Sequence, residues 1–241
     1  MVAELPKVFF IRVMKAGSMT LAQLLRERYA PEATYPGPEV KTLALAIESA
    51  APAYLAGLPR EHVRKLRLVA HHLPFAARSL LEGEFLTCAF FRDPVSRIIS
   101  HLQSELHAVP EGTKQRALLE SLYDKPNLID RDNMMLRQFA MTPQDMRSIF
   151  GQYALDDGAL RRAVANVEQL DFIGLFDHYE GDVHRFGARV GVDFRQIPKM
   201  NASKARTIEP TLRRKIEERN AADLEFYDKV RRIYAERGQP R

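Results

Sequence analysis

The chain of 241 residues is long enough for an α/β domain with a full hydrophobic core, and we expect a single domain over residues 1–241. Its 46% hydrophobic and 28% charged residues are typical of a soluble globular protein; with no apolar run that could span a bilayer and no signal-peptide pattern, we expect it to be cytoplasmic. The formal net charge of +5 favours an anionic ligand, either nucleic acid or a small phosphorylated or sulfated molecule.

Four short apolar runs predict the strands of a buried parallel sheet, because they are apolar on both faces. They are residues 7–13, 66–70, 85–91 and 171–176. Segments with apolar residues at three- and four-residue spacing predict helices. These are residues 20–29, 95–106, 131–139, 157–169 and 179–190. The alternation of strands and helices predicts a doubly wound, P-loop-like α/β fold with a central parallel sheet flanked by helices.

Three further segments complete the prediction. Residues 29–42 contain three prolines and a glycine and are predicted to form a surface loop. Residues 210–238 predict two amphipathic helices hinged near Asn220, the second with an apolar stripe. The members of this stripe are Leu224, Tyr227, Val230 and Ile233. The single cysteine, Cys88, lies inside an apolar run, so we expect a buried structural thiol.

The first strand leads into a candidate anion-binding loop, in the sequence VFFIRVMKAGSMTLAQLL. A loop of small residues around Gly17, followed by a helix that starts near Ser18, would direct backbone N–H groups and the positive helix end at an anion. Lys15 adds a full charge, and Thr20 a second hydroxyl. The pattern G-x-x-x-x-G-K-[ST] of ATP-binding loops is not met, since Lys15 precedes Gly17. The alternative is a plain strand-to-helix turn with a capping serine.

A second candidate site lies in FFRDPVSRIISHLQS. Arg92 ends a strand, Asp93 can cap the next helix, and Pro94 takes the favoured first helical position. A guanidinium beside a helix start is suited to bidentate binding of a terminal phosphate, and Ser100 could add a hydroxyl. The alternative is a structural pair of Arg92 and Asp93 with a capped helix.

The motifs IRVMKAGSMTL and FRDPVSRIISHL together resemble the two cofactor signatures of the sulfotransferases that use 3′-phosphoadenosine 5′-phosphosulfate, especially the carbohydrate branch that contains heparan sulfate 2-O-sulfotransferase. The segments VAHHLPF, DNMMLRQF, FIGLFDHYEGDVHRFGARVG, MNASK and DLEFYDKV extend the resemblance over most of the chain. Met14, Ala16 and Met19 depart from the usual Pro, Thr and Ser or Thr of the family.

The resemblance implies a role for each matching residue on the donor side. Contacts to the 5′-phosphosulfate would come from Lys15, Ala16, Gly17, Ser18, Met19 and Thr20. The 3′-phosphate would be held by Arg92 and Ser100, and a late polar loop with Lys204 would cover the donor. Lys15 would also stabilise the leaving phosphate oxygen without a metal.

The acceptor hydroxyl, on a carbohydrate or glycolipid, needs a general base. His71 and His72 follow the second predicted strand, and an imidazole suits this task near neutral pH. Because adjacent strand residues point in opposite directions, we expect only one of the two to face the cleft, and the resemblance places the base at His72. His71, Asn133 and Arg137 are predicted to contact the acceptor. The alternative for Asn133 and Arg137, which lie one helical turn apart, is that they brace the loop or lie on the helix surface.

Two other functions are open from the sequence. A P-loop-type kinase for a nucleotide or small molecule shares the strand-loop-helix pattern, and a basic nucleic-acid-binding protein would fit the charge. The chain shows no recognition-helix motif or aromatic-rich basic strand, so we expect no nucleic-acid partner. His178 and His184 have poor spacing for a shared metal ion, and we expect no metal site.

Overall fold

A computed structural model of the chain describes residues 5–42, 50–106, 121, 123–124, 132–146, 153–194, 197 and 208–238. Its centre is a five-stranded sheet in the order β2-β3-β1-β4-β5, in which every neighbouring pair is parallel. The strands are Val8–Ile11 (β1), Thr34–Tyr35 (β2), Leu68–His71 (β3), Leu86–Phe91 (β4) and Phe172–Leu175 (β5). The four predicted strands and the predicted α/β fold are confirmed.

Seven helices of the described residues agree with the predicted segments apart from small shifts at their ends. The helices are Ser18–Arg26 (α1), Pro52–Ala56 (α2), Arg60–Lys65 (α3), Pro94–Leu106 (α4), Met134–Ala140 (α5), Ala159–Glu168 (α6), Tyr179–Val190 (α7), Pro210–Arg219 (α8) and Ala221–Glu236 (α9). The two short ones, α2 and α3, were not predicted. Helix α5 starts later than predicted because Asn133, with φ +52°, has a left-handed backbone that a right-handed helix cannot include.

Helices cover both faces of the sheet, because successive strand side chains point to opposite sides. Phe9 and Ile11 of β1 belong to the core under α5, α6 and α9. Val8 and Phe10 belong to the core under α1 and α7. The predicted doubly wound arrangement is therefore present.

The segment 29–42 is only in part the surface loop that was predicted. Thr34 and Tyr35 form the edge strand β2, paired with β3, and both side chains are buried. A strand of two residues has no readable periodicity, and the surrounding prolines suggest a loop. The composition of this segment therefore gave no indication of the edge strand β2.

The C-terminal helices meet at Asn220, as predicted. Its side chain is buried, donates to the carbonyl oxygen of Ile216 at 2.9 Å and accepts the N–H of Asn133 at 2.9 Å. Three of the four stripe residues are buried, and Leu224 is partly buried. Cys88 is fully buried as expected, and burial raises the pKa of its thiol. No helix in the described part of the chain is long and apolar enough to cross a membrane.

A buried carboxylate fastens helix α9 to helix α5. Asp223 accepts the backbone N–H groups of Met135 at 3.2 Å and Leu136 at 2.7 Å, and it interacts electrostatically with the buried Arg97. We expect Asp223→Ala to lower the free energy of unfolding by about 3 kcal/mol, since it leaves two buried N–H groups without their acceptor and removes a negative charge near the buried Arg97. Urea denaturation measures this. An unchanged midpoint would contradict this role.

Candidate functional site

The carboxyl ends of the parallel strands bring the predicted site residues to one edge of the sheet, which is where ligands bind in open α/β sheets. The loop after β1 holds Lys15 and Gly17, His72 follows β3, and Arg92 follows β4. Tyr179 begins helix α7, shortly after β5.

The loop after β1 is bent by two left-handed residues, Lys15 with φ +61° and Gly17 with φ +75°. Gly17 is the N-cap of helix α1, and the Ser18 hydroxyl donates to the carbonyl oxygen of Val13 at 2.9 Å. Lys15 is partly buried, whereas Ala16 is fully buried in the core. The loop therefore offers an anion the Lys15 ammonium and the N–H groups of the first helical turn.

The side chains of α1 that were predicted to contact the donor divide into two kinds. Ser18 and Thr20 are buried, and the Thr20 hydroxyl bonds to Tyr179. Met19 is 50% exposed and is the one exposed large hydrophobic residue within the described ranges. The buried hydroxyls brace the loop, so its contacts to a ligand would come from the backbone and from Lys15.

Tyr179 is a residue that sequence reasoning missed. Its hydroxyl donates to the carbonyl oxygen of Gly17 at 2.8 Å, and Thr20 and the Leu21 N–H also bond to it. Burial raises the pKa of Tyr179 to about 12, so it stays a donor. A Cβ atom at Gly17 would lie 2.5 Å from its Cε2 atom. Nothing in the spacing signals this contact, since the two residues are far apart in the chain.

Position 17 therefore requires glycine for two reasons: its backbone is left-handed, and the Tyr179 ring lies against it. We expect Gly17→Ala to lower the free energy of unfolding by roughly 1–3 kcal/mol, because a left-handed alanine is strained and its methyl group displaces the Tyr179 ring. Gly181→Ala in α7 is the matched control: an added Cβ meets no atom within 4 Å, so the better helix former should be neutral or stabilising. Equal stability of the two variants in chemical denaturation would refute the constraint.

Arg92 connects the second motif to the loop. Its Nη1 atom donates to the carbonyl oxygen of Lys15 at 3.0 Å, and its guanidinium lies 4.1 Å from the centre of the Phe176 ring. Burial, and then Arg92, lower the pKa of Lys15, and burial lowers the pKa of Arg92 against the opposing effect of Asp177. Within the described ranges, neither cation forms an ion pair with a carboxylate. Two partly buried cations thus face the same edge of the sheet.

The start of helix α4 is capped as predicted. The Oδ1 atom of Asp93 accepts the N–H of Ser96 at 2.7 Å, so Asp93 serves the helix. Arg97 is fully buried, and its Nη1 atom lies 3.7 Å from the sulfur of Met134. Ser100 is buried on α4, eight residues after Arg92, which follows β4.

The two histidines after β3 have different surroundings. His71 is 4% exposed, and its ring lies 6.1 Å from that of Tyr35. His72 is partly buried, and its Nδ1 atom lies 2.8 Å from the carbonyl oxygen of Arg12. A carbonyl oxygen only accepts, so Nδ1 of the neutral ring carries the proton and Nε2 carries the lone pair. This is the tautomer that a general base at Nε2 requires.

Two arginines lie near the end of β3: Arg12, whose carbonyl oxygen contacts His72, and Arg26 at the end of α1. Burial, and then Arg26, lower the pKa of Arg12 to about 10. Arg26 donates to the carbonyl oxygen of Ala70 at 3.1 Å. In the part of the chain that the structure describes, no carboxylate pairs with either guanidinium.

Asn133 and Arg137 are engaged within the fold. Asn133 donates to the carbonyl oxygen of Arg219 at 3.0 Å and accepts the N–H of Asp223 at 2.9 Å. Arg137 donates to the carbonyl oxygens of Asp132, at 3.0 Å, and of Tyr153. They hold α5 against the α8–α9 hinge and the segment before α6.

The predicted donor-covering residue Lys204 lies outside the described residues. A groove of about 1190 Å³ lies at the other edge of the sheet, beside Lys7, Thr87 and Asp171, away from the loops just described. The described residues contain no group of three histidine, cysteine or acidic side chains placed to hold a metal ion.

Among the comparisons with known proteins, matches come from solved structures. Neither protein-family models nor curated protein sequences give a match. Among solved structures, the chain is similar to a sulfotransferase from Alicyclobacillus acidocaldarius, at 18% identity and a TM-score of 0.44. The alignment covers 100% of this chain and 98% of the other. Because identity and superposition are both low, we base the proposed function on the residues of this chain.

Proposed function

We propose that the protein is a sulfotransferase that moves a sulfuryl group from 3′-phosphoadenosine 5′-phosphosulfate to a hydroxyl group, on a carbohydrate or glycolipid. The observation that carries the proposal is the pair of cations Lys15 and Arg92, linked at 3.0 Å through the Lys15 carbonyl and unpaired with any described carboxylate. A donor with two separate anionic groups fits such a pair. The order of the two sequence motifs supports the same donor.

Different residues of the site fit the two anionic groups of this donor. The first turn of α1, Lys15 and the Gly17 loop would hold the 5′-phosphosulfate, and Arg92 with Ser100 would hold the 3′-phosphate. Met19 could contact the donor only through its backbone or its exposed thioether chain. Lys204 remains part of the proposal as a covering residue.

The proposed reaction is a direct in-line transfer. The acceptor oxygen forms a bond to sulfur while the bond from sulfur to the 5′-phosphate oxygen breaks and its electron pair stays on that oxygen. Nε2 of His72 takes the acceptor proton, because the Arg12 carbonyl holds the ring in that tautomer. The Lys15 ammonium stabilises the charge that develops on the leaving oxygen.

On the acceptor side of the site, fewer residues are proposed to contact the substrate directly. His71 lies beside His72, with ring centres 5.6 Å apart, and its burial suits orienting the base. The hydrogen bonds of Asn133 and Arg137 suit holding α5 in place beside the acceptor. The proposal includes no nucleic-acid partner and no resident metal.

A thermal-shift experiment tests the proposal. Adenosine 3′,5′-bisphosphate, the product of the donor, should raise the melting temperature in the presence of EDTA, since a ligand of the folded state at 100 times its dissociation constant stabilises it by about 2.7 kcal/mol. ATP with Mg²⁺ should give a smaller shift. No shift with millimolar bisphosphate would overturn the proposal, and a shift with Mg-ATP alone would favour a kinase.

A further inference from the structure

Tyr227 of helix α9 has a hydroxyl group that the fold does not explain. The side chain is 5% exposed and its ring belongs to the core beneath α5 and α6. Its oxygen is buried and has no hydrogen-bond partner within the described residues. Buried polar groups are normally bonded, because an unpaired one destabilises the fold. A phenylalanine would fill the same core without that cost.

The surroundings of this hydroxyl are charged. Asp177, Asp93, Arg231 and Arg92 are its electrostatic neighbours, and Arg92 is in turn influenced by the phenol. Burial, followed by the two carboxylates, raises the pKa of Tyr227, so the hydroxyl keeps its proton and acts as a donor. Phe91 and Phe226, the residues that precede Arg92 and Tyr227, pack with ring centres 6.1 Å apart, so the packing of β4 against α9 brings the two segments together.

Arg92 also has unused donors. One N–H goes to the Lys15 carbonyl, and one face of the guanidinium rests on the Phe176 ring. Asp93 caps α4, and Asp177 acts on Arg92 as a nearby negative charge. The remaining guanidinium N–H groups and the Tyr227 hydroxyl are thus donors within electrostatic reach of each other, on segments that pack together.

The oxygens of a tetrahedral oxyanion would be suitable acceptors for these donors. Its oxygens can accept two parallel bonds from a guanidinium and one more from a phenol. We propose that the Tyr227 hydroxyl is a direct ligand of the anion held by Arg92, and that this position takes a terminal phosphate monoester. The inference rests on the proposed function, in which that ester is the 3′-phosphate of the donor. Helix α9 then takes part in donor selection.

Asp177 opposes this anion, because it is a like charge beside the same position. Asp177→Asn should therefore tighten binding of the phosphate ester, while Tyr227→Phe should weaken it. Opposite changes in affinity for the phosphate ester in these two variants would distinguish a direct ligand contact from a general effect on the fold.

The test compares two nucleotides by isothermal titration calorimetry. Tyr227→Phe should bind adenosine 3′,5′-bisphosphate about tenfold more weakly than the wild type, and adenosine 5′-monophosphate, which lacks the 3′-phosphate, with unchanged affinity. The ligand-free variant should melt at or above the wild-type temperature. Tyr234→Phe is the matched control on α9: its hydroxyl donates to Asp182 at 3.0 Å, so its loss should lower the melting temperature and leave nucleotide selectivity alone.

The outcomes separate this inference from the proposed function. Equal bisphosphate affinities of wild type and Tyr227→Phe would overturn the inference while the sulfotransferase proposal stands. If the wild type binds neither nucleotide, the proposed function fails, and inorganic sulfate then tests the anion position. Sulfate that protects the wild type more than Tyr227→Phe against thermal unfolding would support the position, and equal protection would overturn it.

Discussion

His72→Ala is expected to lower kcat for sulfuryl transfer by roughly 10²- to 10⁴-fold while the dissociation constant for adenosine 3′,5′-bisphosphate changes little. The reason is the removal of the base that takes the acceptor proton. The ring is held by the Arg12 carbonyl at 2.8 Å, so both the lone pair and its orientation are lost. Steady-state kinetics with calorimetry on the same preparations give the two numbers.

Two other histidines serve as controls for this effect. His184 is exposed on α7, so His184→Ala should leave both kcat and binding unchanged. His71→Ala should mainly lower stability, because this side chain is 4% exposed and lies against Tyr35. Near-normal turnover of His72→Ala, with loss of turnover in His71→Ala at unchanged stability, would move the base to His71.

Lys15→Ala is expected to lower kcat by roughly 10²- to 10³-fold, the usual cost of removing one group that stabilises developing charge. Bisphosphate binding should weaken as well, since the ammonium also attracts the ground-state phosphate. The pKa of Lys15 is lowered by burial and by Arg92, so part of this attraction should disappear at a lower pH than for an ordinary lysine. Affinity should fall as the pH rises through that pKa in the wild type and stay flat there in Lys15→Ala.

Lys7 provides the matched control, since it lies at the opposite edge of the sheet and donates to the carbonyl oxygen of Glu82 at 3.1 Å. Lys7→Ala should leave kcat and binding unchanged. If the two variants lose the same activity, Lys15 has no special place in the reaction.

Much of the fold could be predicted because its elements are locally readable. The strands β1, β3, β4 and β5 are apolar on both faces, and the seven predicted helices have clear apolar spacing, whereas the short helices α2 and α3 were not predicted. The edge strand β2 could not be found, because Thr34 and Tyr35 are too few residues to show a period. Strand alternation predicted that His71 and His72 would differ, and the structure places only His71 in the core.

The parts of the site that escaped prediction depend on contacts between distant segments. The Tyr179 hydroxyl reaches Gly17 over 162 residues of sequence, and Asn133 reaches Asp223 over 90. No spacing rule connects such pairs. Asn133 and Arg137 share a helical turn in the sequence, and that pattern alone cannot show that their polar atoms bind backbone carbonyls.

The most direct test of the account is transfer of ³⁵S-labelled sulfate from the donor. Wild-type protein and His72→Ala are each incubated with labelled 3′-phosphoadenosine 5′-phosphosulfate and a panel of glycans and glycolipids, in the presence of EDTA. We predict that label enters at least one acceptor with the wild type and falls at least about a hundredfold with His72→Ala. Absence of sulfate transfer, together with transfer of the γ-phosphate from Mg-ATP to the same acceptors, would contradict the account.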